Sequence, residues 1–571
     1  MTRQNRKPAA NATVRPSAVG ESNSPAWVES LVQSNWKIPA ALAALHLAIA
    51  VFAFHPAPFS GGDDATYIAL ARSLVQRHDY RDIWDPALPS QTLYPPIFPA
   101  IVAVGLLMGL GVTIGLKLMM VFLSSTAVFA SCLWLWRAAK PGVAIGAGVL
   151  VALSPEIVGL GREVLSDTPF WLFTMLALMA LMKAGGAASE EQQAATSDWR
   201  WEFAASAAIV AAYFTRSAGL PLLLAALIWF IVTRRKRAVA ILLATSVPFI
   251  VMWWLHGRSN PGGGYLGPFL YVDPYVPSRG TIHFHDLLVR LQENLIKYRM
   301  YHLPRIVMGV GATSLAAGTV LALLASLGWV MRLRKPGVVE IWTFFYLGLV
   351  LLWPVAWAAP RFLLAIIPVL ALYTAEAIAS LVSYTPWPDF AGAAAIAVLV
   401  GVTAPGIKHH IADGEICRRE YADGVEFPCT DPIFRDFFLT ASSVKGKLPA
   451  GSVVFSRKPT LFYLYSGYQS KLYPLTAVPD SLFAEANRIH AKFVVIDQIQ
   501  GLAPLYLHPI LLARRDDFCV IPEFSHPEAP FARIEVGGPP RPPGSAPNSF
   551  RVCHWNAVAS NSLPQADLIR F

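Results

Sequence analysis

The chain has 571 residues, of which 55% are hydrophobic and only 14% are charged, and its mean hydropathy is +0.47. This composition excludes an ordinary soluble protein, because many apolar runs approach the roughly 20 residues that cross a bilayer as a helix. The net charge of +10 does not indicate nucleic-acid binding, since the basic residues form short clusters between apolar runs, as the positive-inside rule expects of a polytopic membrane protein.

The first 36 residues form a polar, basic tail that is rich in Ser, Pro and Asn. A segment without apolar residues to bury predicts disorder, and this one is too long and polar for the basic end of a signal peptide. We therefore predict a disordered cytoplasmic tail at residues 1–36.

Residues 37–405 are predicted to form an α-helical transmembrane domain with about eleven spans. The apolar runs lie at residues 38–54, 116–136, 142–160, 169–182, 203–215, 220–232, 238–255, 312–331, 341–357, 362–384 and 391–405.

A further apolar run, residues 97–112, is short, and the basic clusters decide how it is treated. If it does not cross the membrane, the clusters at residues 137–140, 234–237 and 332–335 all lie on the side of the basic amino terminus. This run is therefore predicted to be an interfacial or re-entrant helix. The amino terminus is then cytoplasmic, and three segments face outward: the first connecting segment (residues 59–96), the second (161–168) and the long one (257–311).

After Pro405 the composition becomes that of a soluble domain. Residues 452–456 and 492–497 are typical of short buried strands, and residues 479–490 of a helix. Residues 406–571 are therefore predicted to form a small α/β domain, which the topology places outside the cytoplasmic (inner) membrane.

Four of the five cysteines lie in this carboxyl-terminal domain: Cys417, Cys429, Cys519 and Cys553. An even number of cysteines in an exported domain indicates disulfides, and three pairings are available. Proximity in sequence favours Cys417–Cys429 with Cys519–Cys553, and free thiols are the alternative.

Two adjacent carboxylates, Asp63 and Asp64, follow Gly61-Gly62 in the first connecting segment. They precede residues 65–77, where apolar side chains recur at helical spacing, so we predict an amphipathic helix lying on the membrane surface. A helix N-cap needs one carboxylate, and there are two. At least one is therefore predicted to be catalytic, as a general base that takes the proton of an acceptor hydroxyl.

Further charged groups are predicted to join this pair. Glu163 and Asp167 lie in the second connecting segment, although either could be a solvated charge or, for Asp167, a helix cap. Arg216 and Arg361 lie at the outer ends of spans, where an arginine either extends to the interface or binds a phosphate with its planar guanidinium.

A family resemblance is carried by five motifs in order along residues 38–405. They are Asp63-Asp-Ala-Thr-Tyr67, Tyr94-Pro-Pro96, Leu153-Ser-Pro155, Leu165-Ser-Asp-Thr-Pro169 and Arg361-Phe-Leu-Leu-Ala-Ile-Ile-Pro368. In this order they resemble the GT-C class of polytopic glycosyltransferases, within which the chain is most similar to aminoarabinose transferases and protein O-mannosyltransferases. The carboxyl-terminal domain is similar in placement to the domains of that group.

The resemblance implies transfer of a sugar, with inversion, from a polyprenyl-phosphate donor to a hydroxyl acceptor outside the cytoplasmic membrane. The acceptor is a glycan, lipid or protein of the cell envelope. Asp63 matches the family's catalytic aspartate, Asp64 stands where glutamate is frequent, and Asp167 matches the acidic residue of the second segment. Arg361 matches a basic residue near the lipid phosphate. Tyr94 stands where the aminoarabinose branch has lysine, so that branch's substrate does not carry over.

The predicted site therefore contains Asp63, Asp64 and Asp167 as catalytic residues. Its predicted substrate contacts are Tyr67, Tyr94, Arg162, Glu163, Arg216 and Arg361. No cofactor is required, although Asp63 and Asp167 could hold a divalent cation. Two alternative functions stay open. A polytopic lipid or glycan transporter or flippase should show internal repeats and charged residues at the midplane of several spans, and the sequence shows neither pattern. A non-catalytic scaffold that presents the outer domain would not need the acidic connecting segments.

Overall fold

The computed structural model describes residues 36–58, 61–185, 198–258, 260, 264–537 and 550–555. The predicted tail, residues 1–36, lies outside this part of the chain except for Trp36. The helices up to residue 422 are α1 Lys37–Phe52, α2 Asp63–Arg72, α3 Ile97–Leu107, α4 Ile114–Ala138, α5 Pro141–Leu153, α6 Pro155–Leu160, α7 Asp167–Gly185, α8 Trp199–Thr215, α9 Leu220–Val232, α10 Lys236–Gly257, α11 Leu266–Leu270, α12 Phe284–Lys297, α13 Leu303–Met308, α14 Leu315–Arg332, α15 Val338–Leu352, α16 Ile367–Val382 and α17 Pro388–Ala422.

Five of the described helices are long and apolar enough to cross a membrane: α4, α7, α10, α14 and α17. Several others, including α1, α5, α15 and α16, are apolar but shorter than 18 residues. The number of about eleven spans therefore stays a prediction. Large side chains such as Trp134, Trp171 and Trp342 pack these helices into one apolar core.

Two predicted runs end differently from expectation. The run at residues 142–160 is broken into α5 and α6, because Pro155 has no backbone N–H to continue the first helix. The Ser154 hydroxyl accepts a hydrogen bond from the Ile157 N–H and so caps α6. The predicted boundary after Pro405 lies inside α17, which continues to Ala422.

Helix α3 has the length expected of a segment that does not cross the membrane. Its 11 residues rise about 16 Å, roughly half the thickness of a bilayer's hydrocarbon core. It packs against α2 and α4 through Phe98 and Val102, in a small cluster with Tyr67, Leu116 and Met120.

The carboxyl-terminal domain is a six-stranded mixed sheet with flanking helices. Its elements are α18 Pro432–Ser443, β1 Val453–Phe455, α19 Pro459–Ser466, β2 Gln469–Lys471, α20 Pro479–Ile489, β3 Ala491–Val495, α21 His508–Ala513, β4 Phe518–Val520, β5 Phe531–Ile534 and β6 Arg551–Val552. The strand order is β2-β1-β3-β5-β4-β6. β1 runs parallel to β2 and β3, and β5 runs antiparallel to β3 and β4. The strands and the helix predicted at residues 452–456, 492–497 and 479–490 are confirmed.

Both faces of this sheet are buried, which explains why its central strands are continuously apolar. Val454 and Phe493 face one apolar cluster, with α18 and α19. Phe455 and Val494 face the other, with α20 and α21. This division follows from the alternation of side chains along a strand.

The two disulfides are those that sequence proximity favoured, Cys417–Cys429 and Cys519–Cys553. Glu535 lies close enough to Cys519 and Cys553 to share an ion with them. However, a metal binds the thiolate form of cysteine, and these two sulfurs are joined to each other.

The prediction for the amphipathic helix is wrong in one respect. Residues 64–71 of α2 are all buried, so the helix does not lie on a membrane surface with one side in water. One side packs against α3 and α4, and the other is covered by α19 of the carboxyl-terminal domain. Ala65 is part of that domain's apolar cluster.

Candidate active site

The two aspartates begin α2 but have different local roles. Gly62, the residue before the helix, has a φ of 99°, a conformation that a residue with a side chain adopts at a cost. Oδ1 of Asp64 accepts hydrogen bonds from the backbone N–H groups of Gly62 (2.8 Å) and Ala65 (2.9 Å). Asp64 therefore holds the turn, and the side chain of Asp63 is available for other contacts.

Asp63 forms two strong contacts across the fold. Tyr94 donates its hydroxyl hydrogen to Oδ1 (2.7 Å), and Nη2 of Arg361 lies 2.5 Å from Oδ2. Arg361 comes from a short turn, Pro360–Leu363, that precedes α16. Burial alone would raise the pKa of Asp63, but the Arg361 charge and the Tyr94 hydrogen bond together lower it to about 2. Asp63 is therefore ionised at neutral pH.

The pKa of Asp64 moves in the opposite direction. Burial, and then the negative charge of Glu163, raise it to about 7, although the Ala65 and Gly62 N–H groups favour the ionised form. Two adjacent carboxylates therefore differ in protonation near neutral pH because their surroundings differ.

A second ion pair lies at the start of α7. Nη1 of Arg216 is 2.8 Å from Oδ2 of Asp167, and it also donates to the Ser166 hydroxyl at 3.2 Å. The Tyr67 hydroxyl lies 2.7 Å from the same Ser166 oxygen, so α2 is bonded to this pair. The Asp167 side chain is only 4% exposed, and a buried carboxylate needs such a partner.

One aromatic ring brings the two ion pairs together. The guanidinium carbon of Arg216 is 5.0 Å from the centre of the Phe362 ring, and that of Arg361 is 5.4 Å from it. Both distances are typical of cation–π contacts. The four predicted residues Asp63, Asp167, Arg216 and Arg361 therefore belong to a single site.

This site adjoins a cavity of about 380 Å³. Its lining includes Arg216 and Tyr265, and most of the other lining side chains are apolar, among them Leu220, Leu224 and Leu349. A mostly apolar cavity with a cationic side chain in its wall suits a molecule that joins an anionic group to a hydrocarbon chain. A larger apolar cavity of about 510 Å³ lies between α14, α15 and α16, and the four residues of the site do not line it.

Two of the residues predicted to contact the substrate, Arg162 and Glu163, make their observed contacts within the protein. Nη1 of Arg162 donates to the Ala53 carbonyl at 2.6 Å, just after α1, and Nε lies 3.9 Å from Glu163. Tyr94 and Tyr67, in contrast, lie at the centre of the site, where their rings pack edge to face with 5.1 Å between the ring centres.

Sequence reasoning missed a residue from the carboxyl-terminal domain. Nζ of Lys458 donates to the Gly61 carbonyl at 3.0 Å, two residues before Asp63. The Thr66 hydroxyl donates to the Thr460 hydroxyl at 3.3 Å beside it. Burial and the adjacent Arg457 lower the pKa of Lys458 to about 8. The available signal was the basic pair Arg457-Lys458, which lies between the predicted strand at residues 452–456 and Pro459, a proline that can begin a helix.

Comparison with known proteins supports the architecture rather than a close relationship. No protein-family model matches the sequence, and no curated protein matches it. ArnT from Cupriavidus metallidurans bound to undecaprenyl phosphate is similar in structure, with a TM-score of 0.52, 16% identity and coverage of 88% of this chain and 99% of that chain.

The archaeal oligosaccharyltransferase AglB from Archaeoglobus fulgidus, in complex with an inhibitory peptide and a dolichol-phosphate, is also similar. Its TM-score is 0.52 at 12% identity, with coverage of 84% of this chain and 72% of that chain. The TM-scores show a common fold, and at identities this low they show the fold alone. The resemblance predicted from the motifs is confirmed at that level. The chain has the fold of the GT-C glycosyltransferases.

Proposed function

We propose that the protein transfers a sugar, with inversion, from a polyprenyl-phosphate donor to a hydroxyl acceptor at the outer face of the cytoplasmic membrane. The observation that carries this proposal is the pair of aspartate-bound arginines, Arg216 and Arg361, that contact the Phe362 ring beside a mostly apolar cavity lined by Arg216 and Phe362. The fold shared with ArnT bound to undecaprenyl phosphate supports a lipid phosphate as the donor's leaving group.

The donor occupies the cavity that Arg216 and Phe362 line. Its prenyl chain lies among the apolar side chains, and its phosphate contacts the guanidinium groups of Arg216 and Arg361. Arginine suits this role because its planar donors match phosphate oxygens and its charge is permanent.

Asp63 is the general base. In the structure Arg361 keeps the pKa of this carboxylate low, and a base with so low a pKa removes protons poorly. When the donor phosphate shares the Arg361 charge, the pKa of Asp63 rises and the carboxylate becomes a stronger base. Donor binding thus prepares the base, and Asp167 orients the acceptor.

The transfer is a single displacement. The acceptor oxygen bonds to the anomeric carbon and its proton passes to Asp63. The bond between that carbon and the phosphate oxygen breaks with its electron pair on the phosphate, which Arg361 and Arg216 stabilise. The chain's own residues carry these steps. Asp63 and Asp167 each pair with an arginine, so a divalent cation held by these two carboxylates would have to replace Arg361 and Arg216 as their partners.

The test is the substitution Asp63→Asn, assayed by release of polyprenyl phosphate from a radiolabelled lipid-linked sugar. We expect transfer to fall at least about 100-fold, as for loss of a general base. Asp480→Asn is the matched control, because the Asp480 side chain is 92% exposed on the carboxyl-terminal domain.

Unchanged transfer by Asp63→Asn would remove the base assignment. A transporter would move the lipid-linked sugar without cleaving it, so the absence of polyprenyl phosphate release by the wild-type protein would favour that alternative.

A further inference from the structure

A group of cationic and backbone donors lies where β1 ends in the carboxyl-terminal domain. Arg457 and Lys458 connect β1 to α19, and β1 is the central strand of the parallel set β2-β1-β3. The carboxyl ends of parallel strands are the usual place for ligands in α/β sheets. This group is distinct from the arginines that contact Phe362.

Arg457 is a buried cation with no carboxylate within ion-pair distance among the described residues, although the Asp497 charge lies near enough to interact with it. It is only 7% exposed. Its Nη2 donates to the neutral side chain of Gln500, and its guanidinium carbon lies 5.3 Å from the centre of the Tyr275 ring. Nε has no hydrogen-bond partner in the described part of the chain. Burying a charge and a donor in this way is costly unless a ligand completes the contacts.

A nearby carboxylate, that of Asp497, is engaged with the backbone. Its Oδ2 accepts from the Arg457 N–H at 3.2 Å, and its Oδ1 accepts from the Ile499 N–H at 3.0 Å. Asp497 therefore shapes the loop beside Arg457 and does not form an ion pair with its guanidinium.

Lys458 and the start of α19 add donors next to Arg457 along the chain, and the Arg457 and Lys458 charges lie near enough to interact. The Lys458 ammonium contacts the Gly61 carbonyl, and no ion pair with a carboxylate is present for it in the described ranges. Lys458 is also the residue before α19, and no side chain caps that helix. The first N–H groups of an uncapped helix, here on Thr460 and Leu461, favour an anion.

We propose that Arg457, Lys458 and the amino terminus of α19 bind an anionic group, phosphate or carboxylate, of the acceptor. This inference rests on the proposed function, since it names the class of acceptor for the same site. The contact between Lys458 and Gly61 places the anion site beside the turn that holds Asp63. An acceptor anchored there presents its hydroxyl group to the base from the side of the carboxyl-terminal domain.

The experiment measures binding of radiolabelled inorganic phosphate to the full-length protein in detergent, by equilibrium dialysis, with and without polyprenyl phosphate as a competitor. We expect the wild type to bind phosphate at two classes of site, of which polyprenyl phosphate displaces one. The variants Arg457→Gln and Lys458→Met should each weaken the class that is not displaced about tenfold. Arg361→Gln should weaken only the displaced class.

Two controls separate the site from a folding defect. Lys492→Met alters an exposed lysine on β3 of the same domain and should bind phosphate as the wild type does. Lys458→Arg keeps the charge and should retain binding.

Phosphate binding that is unchanged in both Arg457→Gln and Lys458→Met would overturn the proposal, and Lys458 would then serve only as a counter-charge to Asp63 and Asp64. Displacement of all bound phosphate by polyprenyl phosphate would also overturn it, by assigning these residues to the donor. Because binding is measured without a sugar donor, a failure of the proposed function would appear separately, as absence of transfer in the wild type.

Discussion

Asp63 and Asp64 are the same chemical group in consecutive positions, yet each meets a different environment. Asp63 contacts a cation and a phenol, whereas Asp64 contacts two backbone N–H groups and is affected by the negative charge of Glu163. Environment alone moves their pKa values to about 2 and about 7. This difference leaves Asp63 charged and lets Asp64 serve as a structural acceptor in either protonation state.

The raised pKa of Asp64 predicts a pH-dependent cost to stability. Because the folded pKa lies above the unfolded value, stability falls as pH rises from about 4 and stops falling above about 7, by a total of about 4 kcal/mol. Asp64→Asn removes this cost and keeps an oxygen acceptor for the two N–H groups. We expect the variant to melt at a higher temperature than the wild type at pH 8, with a smaller difference at pH 5.

Thermal unfolding of the detergent-solubilised protein at both pH values measures this difference. An equal increase in melting temperature at pH 5 and pH 8 would show that ionisation of Asp64 is not the cause of the increase.

Arg361 contributes both a charge and a planar group that contacts Phe362. Arg361→Gln removes both and should lower transfer by about 100-fold or more, since it loses a charge-assisted contact and a phosphate ligand. Arg361→Lys keeps the charge without the planar donor pair, so its transfer rate should lie between those of the wild type and Arg361→Gln. Initial rates with the lipid-linked sugar check this order, and equal rates for the two variants would contradict it.

At the scale of elements, α2 connects the two domains. Its turn at Gly62 is closed by Asp64 on one side and approached by Lys458 on the other, since a Cβ added to Gly62 would lie 3.3 Å from the Lys458 ammonium. The turn therefore needs glycine for two reasons: its φ is positive, and a side chain at this position would crowd Lys458.

Gly62→Ala should consequently lower both stability, by about 1–2 kcal/mol, and transfer. Gly446→Ala is the matched control, because Gly446 also has a positive φ of 68° but no atom within 4 Å of an added Cβ. It should lower the melting temperature without changing the transfer rate. Equal losses of transfer in both variants would place the effect in folding alone.

Helical spacing predicted that a helix follows the two aspartates, and the apolar runs lie within a few residues of the bounds of most other long helices. Periodicity could not predict that the polar side of α2 is buried. The helix that covers it, α19, lies almost 400 residues away in sequence, and the spacing of residues within one helix carries no information about such a distant partner. The same distance explains why Lys458 was missed while Asp63 was found.

At the scale of the whole molecule, α17 carries the chain from the membrane helices into the carboxyl-terminal domain. It is 35 residues long, and the disulfide Cys417–Cys429 joins its last turns to the segment that leads to α18. The cysteine pairings were predicted from proximity in sequence, and the local pattern predicted two of the six strands, β1 and β3. The continuation of α17 beyond Pro405 was not predictable, because the composition of the sequence changes at Pro405 while the helix continues to Ala422.

Replacing Cys417 and Cys429 together by serine should lower the stability of the carboxyl-terminal domain by about 3 kcal/mol, as expected for opening a short disulfide-closed loop. Limited proteolysis should then cut this domain at a lower protease concentration than in the wild type. Resistance equal to that of the wild type would show that α17 and α18 hold the segment without the disulfide.

Because Ala65 belongs to the apolar cluster of one domain and Tyr67 to that of the other, the two domains cannot be inherited as independent modules. A chimera that took its membrane portion from this protein and its terminal domain from a relative would have to exchange α2 as well. Recombination between such proteins should therefore preserve α2 and α19 from the same parent.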